Sequence, residues 1–528
     1  MSTIDPAALA ALMTSAAPHA VLDVRERGAY ERGHVFRTTT LPRRLLEFRL
    51  AARVPAAGTP LVLVDDGGGE LAGRARATVE AIGYRDVRVL AGGLAGWRAS
   101  GRPAVQGVNV PSKVFGERAL HEHKTPQIGP RELAERLARG DDMVIVDSRT
   151  PEEYARGCVP GAVSVPGGEL VFRIIELIRR PDQPIVVHCG GRTRSYIGAE
   201  SLRRMGLPNP VVALENGTMG WELAGLRLER GAGRWAPAAT PRSRAAAALV
   251  AKRVAAEDGV RFVAPAELRA LLARRGERNV HLLDVRTREE YAAGHVPGAA
   301  WAPGGQAVQA TDEYIAVRAG TIVLACDGFA RATLTAAWLM RMGFPDVAVL
   351  AGGLPAWTEA GGELETGHFE PAPFGLAAAR ATVTALRPGD PGDMLVIDVD
   401  QSDAYARGHV PGALWVCRSR LEDRIATLAP DRARPILTTC GDGRASTLAA
   451  ATLVTLGHAA RVLDGGTRAW EAAGRPLEHG ATRLADEPDD VVPKPYERGR
   501  PAMEAYLAWE EALDNEGTSP IPLLPEKR

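Results

Sequence analysis

The sequence predicts an α/β protein built from four tandem copies of one domain, each a mainly parallel sheet with helices on both faces. Three observations predict it. One signature recurs as "VLDVRERGAYERGHV" from Val21, "IVDSRTPEEYARGCVPGA" from Ile145, "LLDVRTREEYAAGHVPGA" from Leu282 and "VIDVDQSDAYARGHVPGA" from Val396. A second recurs as "LAGGLAGW", "LENGTMGW", "LAGGLPAW" and "LDGGTRAW". Between them lies a glycine-rich turn, always 42 residues after the aspartate of the first signature: Asp23 to Asp65, Asp147 to Cys189, Asp284 to Cys326 and Asp398 to Cys440. Fixed internal spacing over four copies marks a repeated domain.

Within each copy the elements follow from pattern. "MVIVDS", "PIVVHC" and "PVVAL" are short, nearly continuous apolar runs, as in strands buried on both faces of a parallel sheet. The segment after each turn is helical in period; Leu334, Trp338 and Met342 fall on one face. Strands alternating with such helices predict an α/β sheet. The copies span 1–108, 125–232, 260–367 and 374–482, with 483–528 as a C-terminal tail. The stretch "QGVNVPSKVFGERALHEHKTPQI" reads as an irregular boundary, and "RSRAAAALVAKR" as a solvated linker helix rather than a nucleic-acid site. The Pro- and acid-rich tail contains one amphipathic helix, "AMEAYLAWEEAL".

Composition narrows the function. Lys+Arg and Asp+Glu both number 64 in 528 residues, so no excess charge draws the chain to nucleic acid or anionic lipid. No apolar run approaches a membrane span, and the N-terminus lacks a basic leader, so a cytoplasmic protein is expected. Five cysteines with no C-x-x-C pair argue against a disulfide framework or a zinc site. No metal or organic cofactor is implied.

The turn "PIVVHCGGRTRS" carries the chemistry. Gly190 and Gly191 let successive backbone N–H groups point inward as an anion-binding nest. The helix that follows adds its positive end, and Arg194, with Arg192, adds full charge. Such surroundings pull a cysteine below its free value of about 8.5 and make Cys189 a nucleophile set in an anion cradle.

These motifs together resemble the rhodanese (thiosulfate sulfurtransferase) superfamily, and the chain resembles bacterial rhodanese-related proteins with four tandem domains. The resemblance implies a cysteine that takes sulfane sulfur from thiosulfate or a similar donor as a persulfide. It implies passage of that sulfur to cyanide, a small thiol or a protein thiol. Cys189 is then the main catalytic residue. Gly190, Gly191, Arg192, Thr193, Arg194, Ser195 and Arg149 become the substrate-binding set. Phosphatase-type relatives have a loop one residue longer than the Cys-x4-Arg seen here, which favours sulfur over phosphate.

The copies are unequal. Cys326 has Arg331 in register but Asp327 beside it; Cys440 has Arg444 one position early and Asp442 inside the loop. Both are secondary sites. Asp65 replaces the cysteine in repeat one, which is expected to be inactive. Cys158 stands where other copies have His34, His295 and His409, and reads as structural. Cys417 reads as core, the signature tryptophans as packing anchors, and Asp147, Arg149 and Glu153 as a charge network tying strand end to helix. The alternative is a sulfur-carrying or partner-binding scaffold of degenerate domains with little small-molecule turnover.

Overall fold

A computed structural model of the chain describes residues 2–368 and 370–514. Four five-stranded sheets share one strand order, first–fifth–fourth–second–third, and every pair within them is parallel. In repeat two the strands are Gln127–Ile128, Val144–Asp147, Val163–Ser164, Ile185–His188 and Val211–Leu214. Asp147 pairs in register with His188, so the first signature and the cysteine turn leave the sheet side by side at its carboxyl edge. That edge is where open parallel sheets present their ligand sites.

The first signature is a staple for that edge. The Arg149 guanidinium donates to both Asp147 oxygens, at 2.6 to 3.1 Å, and to the Gly157 carbonyl. Arg25 and Arg286 repeat the arrangement in copies one and three. Repeat four has Asp400 instead, and its buried Asp398 is left without an arginine. The motif histidines stack on the motif tyrosines, with ring centres 3.6 to 3.7 Å apart. In repeat two Cys158 fills that place, fully buried, and Trp235 packs on Tyr154 instead. Burial pushes the Cys158 thiol up to about 11, consistent with a core role. Cys417 lies in the core of repeat four.

Repeats two and three, and repeats one and four, meet through one equivalent surface, while Ala316 and Val317 of repeat three also enter the core of repeat one. Gly168 of repeat two meets Gly304 of repeat three so closely that a Cβ on Gly168 would lie 3.0 Å from the Gly304 backbone. The equivalent segments of repeats one and four meet where the Arg44 N–H donates to Ser419 Oγ at 3.1 Å and Arg418 pairs with Glu47. Repeats two and three thereby share one continuous core.

Two segments differ from their sequence reading, and the amphipathic helix of the tail gains a place. The supposed irregular boundary contains a helix, Val110–His123, that buries Lys113 and Glu117. The linker helix Pro241–Asp258 is not simply solvated: Ala247, Val250, Ala251 and Val254 are buried in the shared core of repeats two and three. The tail forms the helix Arg500–Glu511, which crosses back over repeat two. No helix among the described residues is long and apolar enough to cross a membrane.

Candidate active site

The turn of repeat two begins where the fully buried strand Ile185–His188 ends and stops where the helix Thr193–Arg203 begins. The second signature holds it open. Gly217 has φ +54°, and a Cβ there would lie 2.3 Å from the Cys189 carbonyl oxygen. That contact lets the Thr218 N–H donate to Cys189 O at 2.9 Å and the Met219 N–H to Gly190 O at 3.1 Å. With these carbonyls tied down behind the loop, its N–H groups are left for the cradle. Leu94, Leu354 and Thr467 make the same bond to Asp65, Cys326 and Cys440, at 2.8 to 2.9 Å.

Cys189 is buried, and its Sγ lies 3.6 Å from Ser195 Oγ. The Ser195 hydroxyl donates in turn to the Arg192 carbonyl at 2.6 Å. Arg194 is held in the cradle by Glu153 through two bonds of 2.6 and 2.9 Å. Burial pushes the Glu153 carboxyl up, but Arg194 outweighs it and holds the group well below the usual carboxylate range. Glu153 is thus bonded to Arg194, while its charge also acts on Arg149 and it caps its own helix with Thr150. The same pair, Glu290 with Arg331, recurs in repeat three at the same 41-residue separation.

Arg149 borders Gly190, whose Cβ would lie 3.8 Å from Arg149 Cδ. Repeat one shows what its remaining Nη1 faces. There Arg25 Nη1 donates to Asp66, the position of Gly190, at 2.6 Å. Glycine removes that acid in repeat two and leaves the direction open to a bound anion.

The side chains of two of the expected binding residues point elsewhere. Arg192 pairs with Glu117 through two bonds of 2.7 Å, and with Asn216 and Glu511 at 2.8 and 2.7 Å. Thr193 donates to Glu510 at 2.7 Å. Both side chains anchor the turn to the helix Val110–His123 and to the tail, and leave the cradle only the backbone N–H groups of these two residues. Sequence reading found the helix of that tail but not its place over the turn. A Cβ on Gly191 would come within 3.5 Å of Met219, Glu510 and Tyr506, and Tyr496 stands over Gly190. Between turn and tail lies a cavity of about 810 Å³, reached by Gly190, Gly191 and Arg194.

The other turns are internally neutralised. In repeat one the Asp65 carboxylate itself occupies the cradle, accepting the N–H groups of Gly67 and Ala72 at 2.9 and 3.3 Å. In repeat three Arg331 is ringed by Glu169, Glu290 and Asp327 at 2.7 to 2.8 Å. Burial, with Asp327 adding to it, pushes the Cys326 thiol up to about 11 against the pull of Arg331. In repeat four Asp400 takes the Gly441 N–H at 2.6 Å, and Arg444 is paired with Asp442 and Glu370. Burial pushes the Cys440 thiol up to about 11 as well.

Repeat four also carries a testable cost. Burial pushes the Asp398 carboxyl up to about 8, and the neighbouring Asp400 charge adds to it. The folded protein then holds a proton that the unfolded chain releases at about pH 4, so stability falls as pH rises between those values. Asp398→Asn is expected to raise the unfolding midpoint of this repeat at pH 8 by about 5 °C and to flatten its dependence on pH. Calorimetry reads both; an unchanged midpoint contradicts the assignment.

Comparison with known proteins agrees with this architecture. The Rhodanese-like domain family matches residues 5–100, 129–224, 265–360 and 383–473. A crystal structure of thiosulfate sulfurtransferase from Pseudomonas aeruginosa superposes with a TM-score of 0.91 at 39% identity, covering 97% of each chain. The thiosulfate sulfurtransferase of Azotobacter vinelandii is 31% identical over 168 residues, which are 28% of this chain and 61% of that protein. A sulfurtransferase of Allochromatium vinosum is 33% identical over 102 residues, 19% of this chain and 92% of that protein. The chain belongs to the rhodanese-like family, carries four copies of its domain in tandem, and is a sulfurtransferase of that kind.

Proposed function

We propose that the chain transfers sulfane sulfur from thiosulfate or a similar anionic donor to cyanide or a thiol, through a persulfide on Cys189. The observation that carries this reading is the contrast between turns. Among the described residues, repeat two alone combines a thiol, two consecutive glycines and a cradle arginine held by a single carboxylate.

The Cys189 thiolate attacks the outer sulfur of thiosulfate. The sulfur–sulfur bond of the donor breaks, and sulfite leaves with the electron pair. Cyanide then attacks the outer sulfur of the persulfide; thiocyanate departs and the thiolate is regenerated. No net oxidation occurs. Arg194, Arg149 and the loop N–H groups offset the donor's charge and the charge left on the outer sulfur. Repeats one, three and four supply walls and pairing surfaces.

Initial rates with both substrates varied test the persulfide, since a covalent intermediate gives parallel double-reciprocal lines. Intersecting lines contradict it. Arg194→Ala is expected to lower kcat/KM for thiosulfate by about a hundredfold. Arg194→Lys does not restore it, because an ammonium cannot take Glu153 in two parallel bonds.

A further inference from the structure

The cavity over the repeat-two turn is larger than the donor requires. Cavities that hold organic ligands run from about 300 to 1,000 Å³, and this one measures about 810 Å³. Thiosulfate and cyanide would leave most of it to water. Its walls are also unevenly charged, with six cationic and three acidic side chains. The acids are engaged: Glu153 by Arg194, Glu31 by Arg498 and Asp490 by Ser402.

Two of the cations are not. Among the described residues, neither Lys113 nor Lys494 has a carboxylate within ion-pair distance. Lys113 is 4% exposed, and its ammonium sits 4.6 Å from the ring centre of Tyr506 and 4.7 Å from that of Trp509. Glu510, the acid that acts on it most strongly, accepts from Thr193 instead. Burial pushes the Lys113 ammonium down to about 8. A buried cation that faces two rings and has no carboxylate in direct contact is costly unless an anion arrives to join it.

Resting on the reading of Cys189 given above, we propose that this cavity is the acceptor subsite. It takes an organic thiol the size of a short acidic peptide, with Lys113 and Lys494 holding its carboxylates and its sulfur directed at the turn. In the transfer the acceptor thiolate attacks the outer sulfur of the Cys189 persulfide. The bond between that sulfur and Cys189 Sγ breaks, and Sγ keeps the electron pair. The acceptor leaves as a persulfide, with no net change in oxidation state. Repeat one and the tail, which contribute Arg27 and the segment Lys494–Trp509 to the walls, thereby shape acceptor choice.

Calorimetric titration of the full chain with S-methylglutathione, whose thiol is blocked, tests the subsite without needing any persulfide. Binding is expected in wild type and is weakened about tenfold by Lys113→Gln and by Lys494→Gln. Absence of binding to wild type, or binding indifferent to Lys494→Gln, overturns the proposal. Lys494 is exposed, so its variant decides the matter even if Lys113→Gln misfolds. In a second arm, persulfide-loaded protein is discharged by glutathione or by uncharged 2-mercaptoethanol. The preference for glutathione is expected to shrink in both variants, and an unchanged preference counts against the subsite. Failure to load sulfur at all counts against the Cys189 reading and leaves the titration to judge the cavity.

Discussion

Cys189→Ser is expected to reduce sulfur transfer from thiosulfate by more than about a thousandfold, the scale of losing a covalent nucleophile. Cys326→Ser and Cys440→Ser are expected to stay within about twofold of wild type, the ordinary range for a group outside the reaction. The asymmetry follows from charge. Burial holds the Cys326 and Cys440 thiols near 11, so at neutral pH neither supplies an appreciable thiolate. Arg331 is committed to three carboxylates, and the loop of repeat four already contains Asp400 on its Gly441 N–H. An anionic donor meets negative charge in both. The three single variants, assayed for thiocyanate production, separate the sites; substantial activity in Cys189→Ser would move the chemistry to another repeat.

Gly217→Ala is expected to be nearly as damaging, although the residue carries no functional group. A left-handed alanine costs about 1–3 kcal/mol in backbone strain alone. The larger consequence is steric. The new methyl would lie 2.3 Å from the Cys189 carbonyl and 2.8 Å from that of Gly191, and both contacts are backbone. Relief requires moving the loop, which breaks the Thr218 and Met219 bonds that hold its carbonyls behind the cradle. Gly225 is the control, with φ +83° and no atom within 4 Å of its added Cβ. Gly225→Ala is expected to lose a similar amount of melting temperature and to keep sulfur transfer. Equal activity losses in the two variants would show that strain, not loop displacement, is the cause.

Much of the fold was legible because the repeats carry their own register. The fixed interval from aspartate to turn reflects adjacent strand ends, which Asp147 and His188 realise as a pair in register. The two glycines, Cys189 and Arg194 were legible because cradle chemistry is local. The direction of the Arg192 side chain was not legible because nothing within the turn distinguishes it from that of Arg194. Its partners, Glu117 and Glu511, are 75 and 319 residues distant. The tail over the turn was hidden for the same reason: an amphipathic helix announces that it packs, not where. Two signals were present and unused. Glu and Arg recur 41 residues apart in repeats two and three, and "VIDVDQ" already shows Asp400 where the staple arginine belongs.

The most direct test of a persulfide on Cys189 is the intact mass of the protein after a single exposure to thiosulfate and removal of excess donor, followed by peptide mapping. Addition of one sulfur atom per chain, found on the peptide containing Cys189 and lost on treatment with cyanide, is the expected result. Sulfur found on the Cys326 or Cys440 peptide, or a mass unchanged in protein that still turns over thiosulfate, would contradict it.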